Sequence, residues 1–403
     1  MKILLIGMMG LYNRGCEAII WGSSKIIKEI FPDAEIFVAV GFSESAKVDR
    51  ERLHNFDVEI YPLVAGNIPN PSFGFRLIRN AIYQITRDFD IYKYRKPIGY
   101  PDKDWDLILE VGGDTFVGNP LIKFHYDQWL MKKGLKVGLW GLNLGPYNIQ
   151  VISRDKQFKA FSKYNLITVR DKYSHHYLAG IGIKNNVYLM ADPAFEMEAE
   201  FWGVEPYLPT KCGRGIVGIN FNPIAAQSGK RNNKEIIKLL IDTSRSLIDQ
   251  GFGVLLVPHC FPPSCPSYDD DTTILKPAFL QLKKEGLNVG LLPNGINSPQ
   301  VKYAISKCIL FTGIRMHSTI AAWSSDVPVL SLSYSQKSLN YNNEIYGHQE
   351  YVLDISTLTS KLLVRSLLSM ANNLHKVKQE TKQGVANLRR HTKDMIYKLK
   401  QNY

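Results

Sequence analysis

The segment Phe311-Thr312-Gly313-Ile314-Arg315-Met316-His317-Ser318 places an arginine and a histidine two residues apart, between an apolar run and the start of a helical pattern. Such a turn combines a fixed cation at Arg315, helix-start amides around Met316 and Ser318, and a titratable imidazole at His317. That set suits holding an anion and moving a proton beside it. Tyr334 and Lys337 follow the next apolar run and would complete a phosphate site. Arg170 closes the apolar run Leu166–Val169, where a guanidinium can grip carboxylate or phosphate through two bonds. The competing role for Arg170 is an ion pair with Asp171 or Asp192.

Two glycine-bearing turns belong to the same group. The first, Gly7 to Ala18, carries Asn13, Gly15, Cys16 and Glu17; it is neither a G-x-G-x-x-G fingerprint nor a P-loop. The second is Gly112-Gly113-Asp114, where glycines admit a close ligand and Asp114 either accepts from sugar hydroxyls or caps a helix. His259 and Asp192 also end apolar runs, each as a ligand contact or a loop hydrogen-bond partner. No carboxylate cluster calls for a metal, and no Ser or Cys nucleophile constellation is visible.

The elements that must carry these turns are short and repetitive. Strands are predicted at Lys2–Gly7, Glu35–Val40, Val58–Leu63, Leu107–Gly113, Lys136–Asn143 and Leu166–Asp171, then at Gly215–Asn222, Gly253–Cys260, Asn288–Leu292, Cys308–Ile314, Pro328–Tyr334 and Tyr351–Ile355. Helical patterns intervene at Gly15–Ile30, Lys172–Ala179, Asn232–Asp249, Thr273–Glu285 and Ser318–Ser325. Alternation of this kind implies α/β architecture with parallel sheets. The chain of 403 residues suits two domains. The reading is two doubly wound, Rossmann-like domains facing a cleft, a GT-B-like fold: residues 1–200, residues 201–355, and a basic helical segment 356–403. The loop Ala199–Arg214 marks the boundary.

Apolar residues are 45% and charged residues 21% of the chain, a globular balance. Five scattered cysteines read as reduced thiols, and the opening apolar run is too short for a secretory signal. Together with the lack of a membrane-spanning run, this points to the cytoplasm. The net charge of +12 favours an acidic partner. Nucleic acid is the weakest choice, since no nucleic-acid-binding signature appears. Phe73–Tyr100 holds six Lys/Arg against two acids among many aromatics, and His375–Tyr403 holds eight against two. Each is either a solvated or packed surface segment or a peripheral dock on the anionic inner face of the cytoplasmic membrane.

The turns, in this order, resemble the polysaccharide pyruvyl transferase family. The likeness runs over residues 1–340, through Asn13-x-Gly15-x-Glu17-Ala18, Gly112-Gly113, Val169-Arg170-Asp171 with Ser174, and Asp192-Pro193. Arg315-Met316-His317, with Pro328 and Tyr334 downstream, is its distinctive part. The resemblance implies transfer of the pyruvyl group of phosphoenolpyruvate onto a sugar of a surface polysaccharide, or of its lipid-linked precursor, as a cyclic ketal. It implies Arg170, Arg315 and His317 as catalytic residues, with Arg170, Arg315, Met316, His317, Ser318, Tyr334 and Lys337 on the donor. Asn13, Glu17, Gly112, Gly113 and Asp114 fall on the acceptor side. Phosphoenolpyruvate is a co-substrate, and neither a cofactor nor a metal is implied. Cys16 stands where an Asp is common, and Asp114 where a third glycine is common.

Two other readings use the same residues. One is a GT-B glycosyltransferase with a nucleotide-sugar donor, which calls for an acidic ribose grip; Glu344 is the nearest choice. The other is a non-catalytic partner in polysaccharide assembly, which has no need of Arg170, Arg315 and His317 together. If the chain is an enzyme, Arg315→Ala is expected to remove activity and leave the fold intact.

Overall fold

The computed structural model describes residues 1–8, 10–40, 44–54, 56–62, 73–86, 104–112, 116, 120–144, 152–210, 212–262 and 269–402. Gly113, Asp114, Cys265 and residues 87–100 of the first basic stretch lie outside them. The chain divides into two compact units. The first comprises Met1–Gly10, Ile26–Met190 and Met395–Tyr403; the second comprises Leu11–Lys25 and Ala191–Asp394.

The first unit holds a seven-stranded sheet in the order β3-β2-β1-β4-β5-β6-β7. Its strands are β1 (Lys2–Ile6), β2 (Glu35–Val40), β3 (Glu59–Pro62), β4 (Leu107–Val111), β5 (Val137–Leu142), β6 (Leu166–Val169) and β7 (Val187–Leu189). Every pairing is parallel. Such strands are covered on both faces, which is why they read as unbroken apolar runs. Helices α1 (Arg14–Ile30), α2 (Glu44–Leu53), α3 (Phe73–Thr86), α4 (Pro120–Lys132), α5 (Arg154–Phe161) and α6 (Lys172–Gly180) alternate with them. The core gathers Leu4, Ile108, Val137, Leu139, Phe161, Ile167 and Val169.

A six-stranded parallel sheet, ordered β10-β9-β8-β11-β12-β13, forms the second unit. Its strands are β8 (Ile216–Asn220), β9 (Gly253–Leu256), β10 (Val289–Leu291), β11 (Leu310–Gly313), β12 (Val329–Ser333) and β13 (Val352–Asp354). Around it lie α7 (Pro223–Ser228), α8 (Asn233–Asp249), α9 (Thr272–Lys284), α10 (Ser298–Ile305), α11 (Met316–Trp323), α12 (Gln336–Tyr346) and α13 (Ser360–Asn372). The 29-residue helix α14 (Leu374–Asn402) follows and gives its last residues to the first unit. Helix α8 opens on a full capping box, Asn232 with Glu235, and α10 on another, Asn297 with Gln300.

In each sheet the chain moves outward on one side and then returns to the other. The reversal falls between β1 and β4 in the first unit and between β8 and β11 in the second. Crevices at the carboxyl ends of such strand pairs are where open α/β sheets bind ligands. The turn from Gly313 to His317 leaves β11 at that place.

The change of unit at Met190/Ala191 precedes the loop Ala199–Arg214 expected from the sequence. The cause is apolar: Ala191, Ala194 and Phe195 are buried in the core of the second unit. Ala18 lies in that same core, so the first half of α1 belongs there too. Two short elements escaped the sequence reading. Strand β7 has three half-buried residues and no alternation to betray it. Helix α10 contains Pro299, which looks like a break but sits in the first turn, where proline is tolerated.

Candidate functional site

The site in the second unit is built on Asn220, the last residue of β8. Its Oδ1 accepts the Arg315 amide at 3.0 Å, while its Nδ2 donates to the Val257 carbonyl at 2.9 Å and to Asp271 Oδ2 at 3.0 Å. One buried amide thus ties the turn after β11 to the loop after β9. The Asp271 carboxylate is the second node. It accepts the His259 amide at 2.8 Å on Oδ2, and Arg315 Nε and Nη2 at 3.0 and 2.7 Å on Oδ1.

Arg315 is therefore not an open cation. Its Nη1 reaches Asp269 Oδ1 at 2.7 Å and its Nη2 also donates to the Asp269 carbonyl at 2.6 Å. Its side chain is 11% exposed and that of Asp271 is fully buried. Burial drives the Asp271 carboxyl above its usual range, and the Arg315 guanidinium pulls it back. Burial of Arg315 is in turn outweighed by Asp271 and Asp269, which hold its charge firmly in place.

Helix α11 begins at Met316, two residues before the start expected from the sequence, so His317 sits in its first turn. Arg315, the N-cap, makes no side-chain cap bond. Ser318 accordingly turns back, its hydroxyl donating to the Arg315 carbonyl at 2.7 Å. The Met316 and His317 amides precede the first helical hydrogen bonds and meet no acceptor among the described residues. His317 Nε2 lies 3.5 Å from Asp192 Oδ2, and Asp192 is fully buried. Asp192 is itself fixed, its Oδ1 accepting the Ala194 amide at 2.9 Å. On the other side of the ring stands Gly15, where an added Cβ would fall 2.3 Å from His317 Nδ1. Gly22, two turns along α1, similarly lets the helix approach the Pro193 carbonyl, 1.8 Å from where a Cβ would lie.

His259 completes the group. It is 2% exposed, and neither ring nitrogen meets a hydrogen-bond partner among the described residues. Burial, then the nearby His317, Arg315 and Arg14, hold its imidazole neutral well below the ordinary histidine range. Arg14 is buried, with Nη1 donating to the Leu11 carbonyl at 3.1 Å, Nη2 to that of Asn294 at 2.9 Å, and its guanidinium 5.0 Å from the centre of the Phe261 ring.

The residues placed on the acceptor side from the sequence fall in different places. Asn13 caps α1, its Oδ1 accepting the Gly15 amide at 2.9 Å, and its backbone bridges to Cys260. Glu17 is buried 3.9 Å from Arg14 Nε and accepts the Ser298 amide at 3.0 Å. Both belong to the second unit, with His317. Gly112 follows β4 in the first unit; Gly113 and Asp114 lie outside the described residues. Arg170 is buried in the first unit, at the end of β6, with its amide on the Leu142 carbonyl at 3.1 Å. Next to it, Asp171 accepts from Asn143 at 2.6 Å and from both the amide and the hydroxyl of Ser174 at 2.8 Å. Tyr334 is 49% exposed after β12, and Lys337 lies in the first turn of α12.

Asp269, Asp271, Asn220 and the role of Gly15 were not anticipated. A signal existed: three consecutive aspartates at Asp269–Asp271 in a chain of strongly positive net charge. No group of three or more His, Cys, Asp or Glu among the described residues is arranged to hold a metal ion.

The family model for polysaccharide pyruvyl transferase matches residues 13–336. The chain belongs to the polysaccharide pyruvyl transferase family. The match spans Asn13 before α1, Arg170, Asp192, the Asp269–Asp271 run, the Arg315–His317 turn and Tyr334, and it ends one residue before Lys337. No curated protein sequence matches the chain. Solved structures share its fold at low identity. The TcCGT1 complex with UDP has a TM-score of 0.60 at 10% identity, covering 100% of this chain and 99% of that one. A glycosyltransferase from Rickettsia africae gives 0.53 at 12% identity, covering 99% and 97%. The UDP-GlcNAc 2-epimerase of Methanocaldococcus jannaschii, in complex with UDP-GlcNAc and UDP, gives 0.54 at 13% identity, covering 92% and 93%. The pyruvyl transferase chain thus has the GT-B fold of nucleotide-sugar transferases and epimerases.

Proposed function

We propose that the protein transfers the pyruvyl group of phosphoenolpyruvate to a pair of hydroxyls on a sugar of a surface polysaccharide or its lipid-linked precursor, forming a cyclic ketal. The observation that carries this reading is His317 at the start of α11, at the reversal between β8 and β11, with the buried Asp192 carboxylate 3.5 Å behind it. The family to which the chain belongs supports it.

His317 gives a proton to C3 of phosphoenolpyruvate, and C2 becomes an oxocarbenium-like centre. One sugar hydroxyl attacks C2 and returns its proton to the imidazole. The bond from C2 to the phosphate oxygen breaks, inorganic phosphate departs, and the second hydroxyl closes the ring as its proton leaves with the phosphate. Asp192 supplies a counter-charge whenever the ring is protonated. The Met316 and His317 amides, Tyr334 and Lys337 serve the donor's anionic groups, while Ser318, its amide and hydroxyl both spent on the Arg315 carbonyl, braces the turn. Arg315 contributes as positive backing clamped by Asp269 and Asp271, which fixes the turn in advance of binding. The expected site of action is the cytoplasm, at the inner face of the cytoplasmic membrane.

The test is incubation with phosphoenolpyruvate and a panel of lipid-linked and nucleotide-linked sugars, following phosphate release and the mass of the acceptor. Release of phosphate coupled to a pyruvyl mass gain is expected. Turnover of a UDP-sugar with none of phosphoenolpyruvate would overturn the reading in favour of glycosyl transfer.

A further inference from the structure

Helix α3 presents its apolar residues to water. Leu77, Ile78, Ile82 and Ile85 are 55%, 63%, 42% and 83% exposed, and Ala81 between them is exposed as well. Residues at i, i+1, i+4, i+5 and i+8 share one face of an α-helix, so these five form a single stripe. On a helix that packs against its own domain, the apolar stripe is the covered one. Scattered exposed aliphatics are ordinary, but a continuous stripe of this kind marks an interaction surface.

The sequence around the stripe selects the partner. Phe73–Thr86 contains no acidic residue and includes Arg76 and Arg79, with Arg87 directly after it. A second copy of the chain would cover the stripe but bring only another acid-free, basic segment. An acidic protein surface would answer the arginines and leave the aliphatic stripe in water. An anionic bilayer answers both, with hydrocarbon for the stripe and anionic headgroups for a segment that is basic and free of acids. No helix among the described residues is long and apolar enough to cross a membrane, so the contact would lie in the plane of the surface.

We propose that α3 is a membrane-docking helix whose Leu77–Ile85 stripe enters the headgroup–acyl boundary of an anionic bilayer. The contact is independent of the ketal chemistry, because none of these residues belongs to the candidate site.

The experiment is flotation of the full chain with phosphatidylcholine vesicles, alone and with roughly one-third phosphatidylglycerol. Binding to the anionic vesicles, weakened by salt, is expected. Ile78→Glu with Ile85→Glu should lower that binding at least tenfold without moving the melting temperature, while Ile78→Val with Ile85→Val should retain it. Absence of binding to anionic vesicles, or equal binding by the glutamate variant, would overturn the proposal. So would a wild-type dimer that the glutamate variant splits, with no vesicle binding by either.

Discussion

Gly15 and His317 are packed so closely that the histidine ring occupies the space a Cβ on Gly15 would need, 2.3 Å from Nδ1. The backbone of α1 is thus one wall of the imidazole's slot. Gly15→Ala must push the ring out of line, and a displacement of about 1 Å costs on the order of 100-fold in rate. We expect kcat to fall by about that factor, with phosphoenolpyruvate binding changed much less. Steady-state kinetics beside the wild type would check it; an unchanged kcat would remove His317 from the chemistry.

The opposite wall is Asp192. Asp192→Asn keeps an oxygen for the Ala194 amide and removes only the charge beside His317 Nε2. Activity should drop by about 100-fold, because the carboxylate that orients the ring and offsets its charge during proton transfer is gone. A variant with wild-type rate would reduce Asp192 to a turn-forming residue.

Asp271 and Asp269 divide the hold on Arg315 unequally. Asp271 is fully buried, whereas the Asp269 side chain is 23% exposed. Removing one partner of a buried pair strands the other, which costs about 3–5 kcal/mol, while a partly solvated pair is worth about 1 kcal/mol or less. Denaturant unfolding should therefore rank Asp271→Ala far below Asp269→Ala in stability. Arg315→Ala leaves Asp271 stranded as well. Its loss of activity should thus come with a loss of stability, unlike the intact fold expected from the sequence.

Two buried bases give stability two separate pH dependences. His259 is held neutral well below its ordinary range by burial and by His317, Arg315 and Arg14. Below about pH 6.5 the unfolded chain takes up a proton that the folded chain refuses, so stability falls with pH there, by at most about 1.4 kcal/mol per unit. Lys302 is lowered to about 7, first by burial and then by Arg389. Between about pH 7 and 10.4 the unfolded lysine is charged and the folded one is not, so stability rises with pH. His259→Asn should flatten the acid slope and Lys302→Met the alkaline one, each by one proton, as read from unfolding free energies across pH.

The sheets were legible because parallel strands buried on both faces are written as local apolar runs, and a window of six residues suffices to see Val137–Leu142 or Val329–Ser333. Arg315 and His317 were legible because their spacing is local too. Their surroundings were not. Asp192 is far from His317 in sequence, Gly15 farther still, and Asp271 meets Arg315 only because β8, β9 and β11 are neighbours. Spacing along the chain carries no trace of such meetings. Nor could residue type tell an anion-binding arginine from one already claimed by two aspartates.

The second unit is discontinuous: Leu11–Lys25 supplies the caps and walls against which His259, Ser298 and His317 rest. An exchange of gene segments at residue 191 would therefore deliver His317 without its slot. Residues 191–394 and Arg14–Lys25 of α1 form one structural unit, and a hybrid that draws them from different parents should fold its sheets and stay inert.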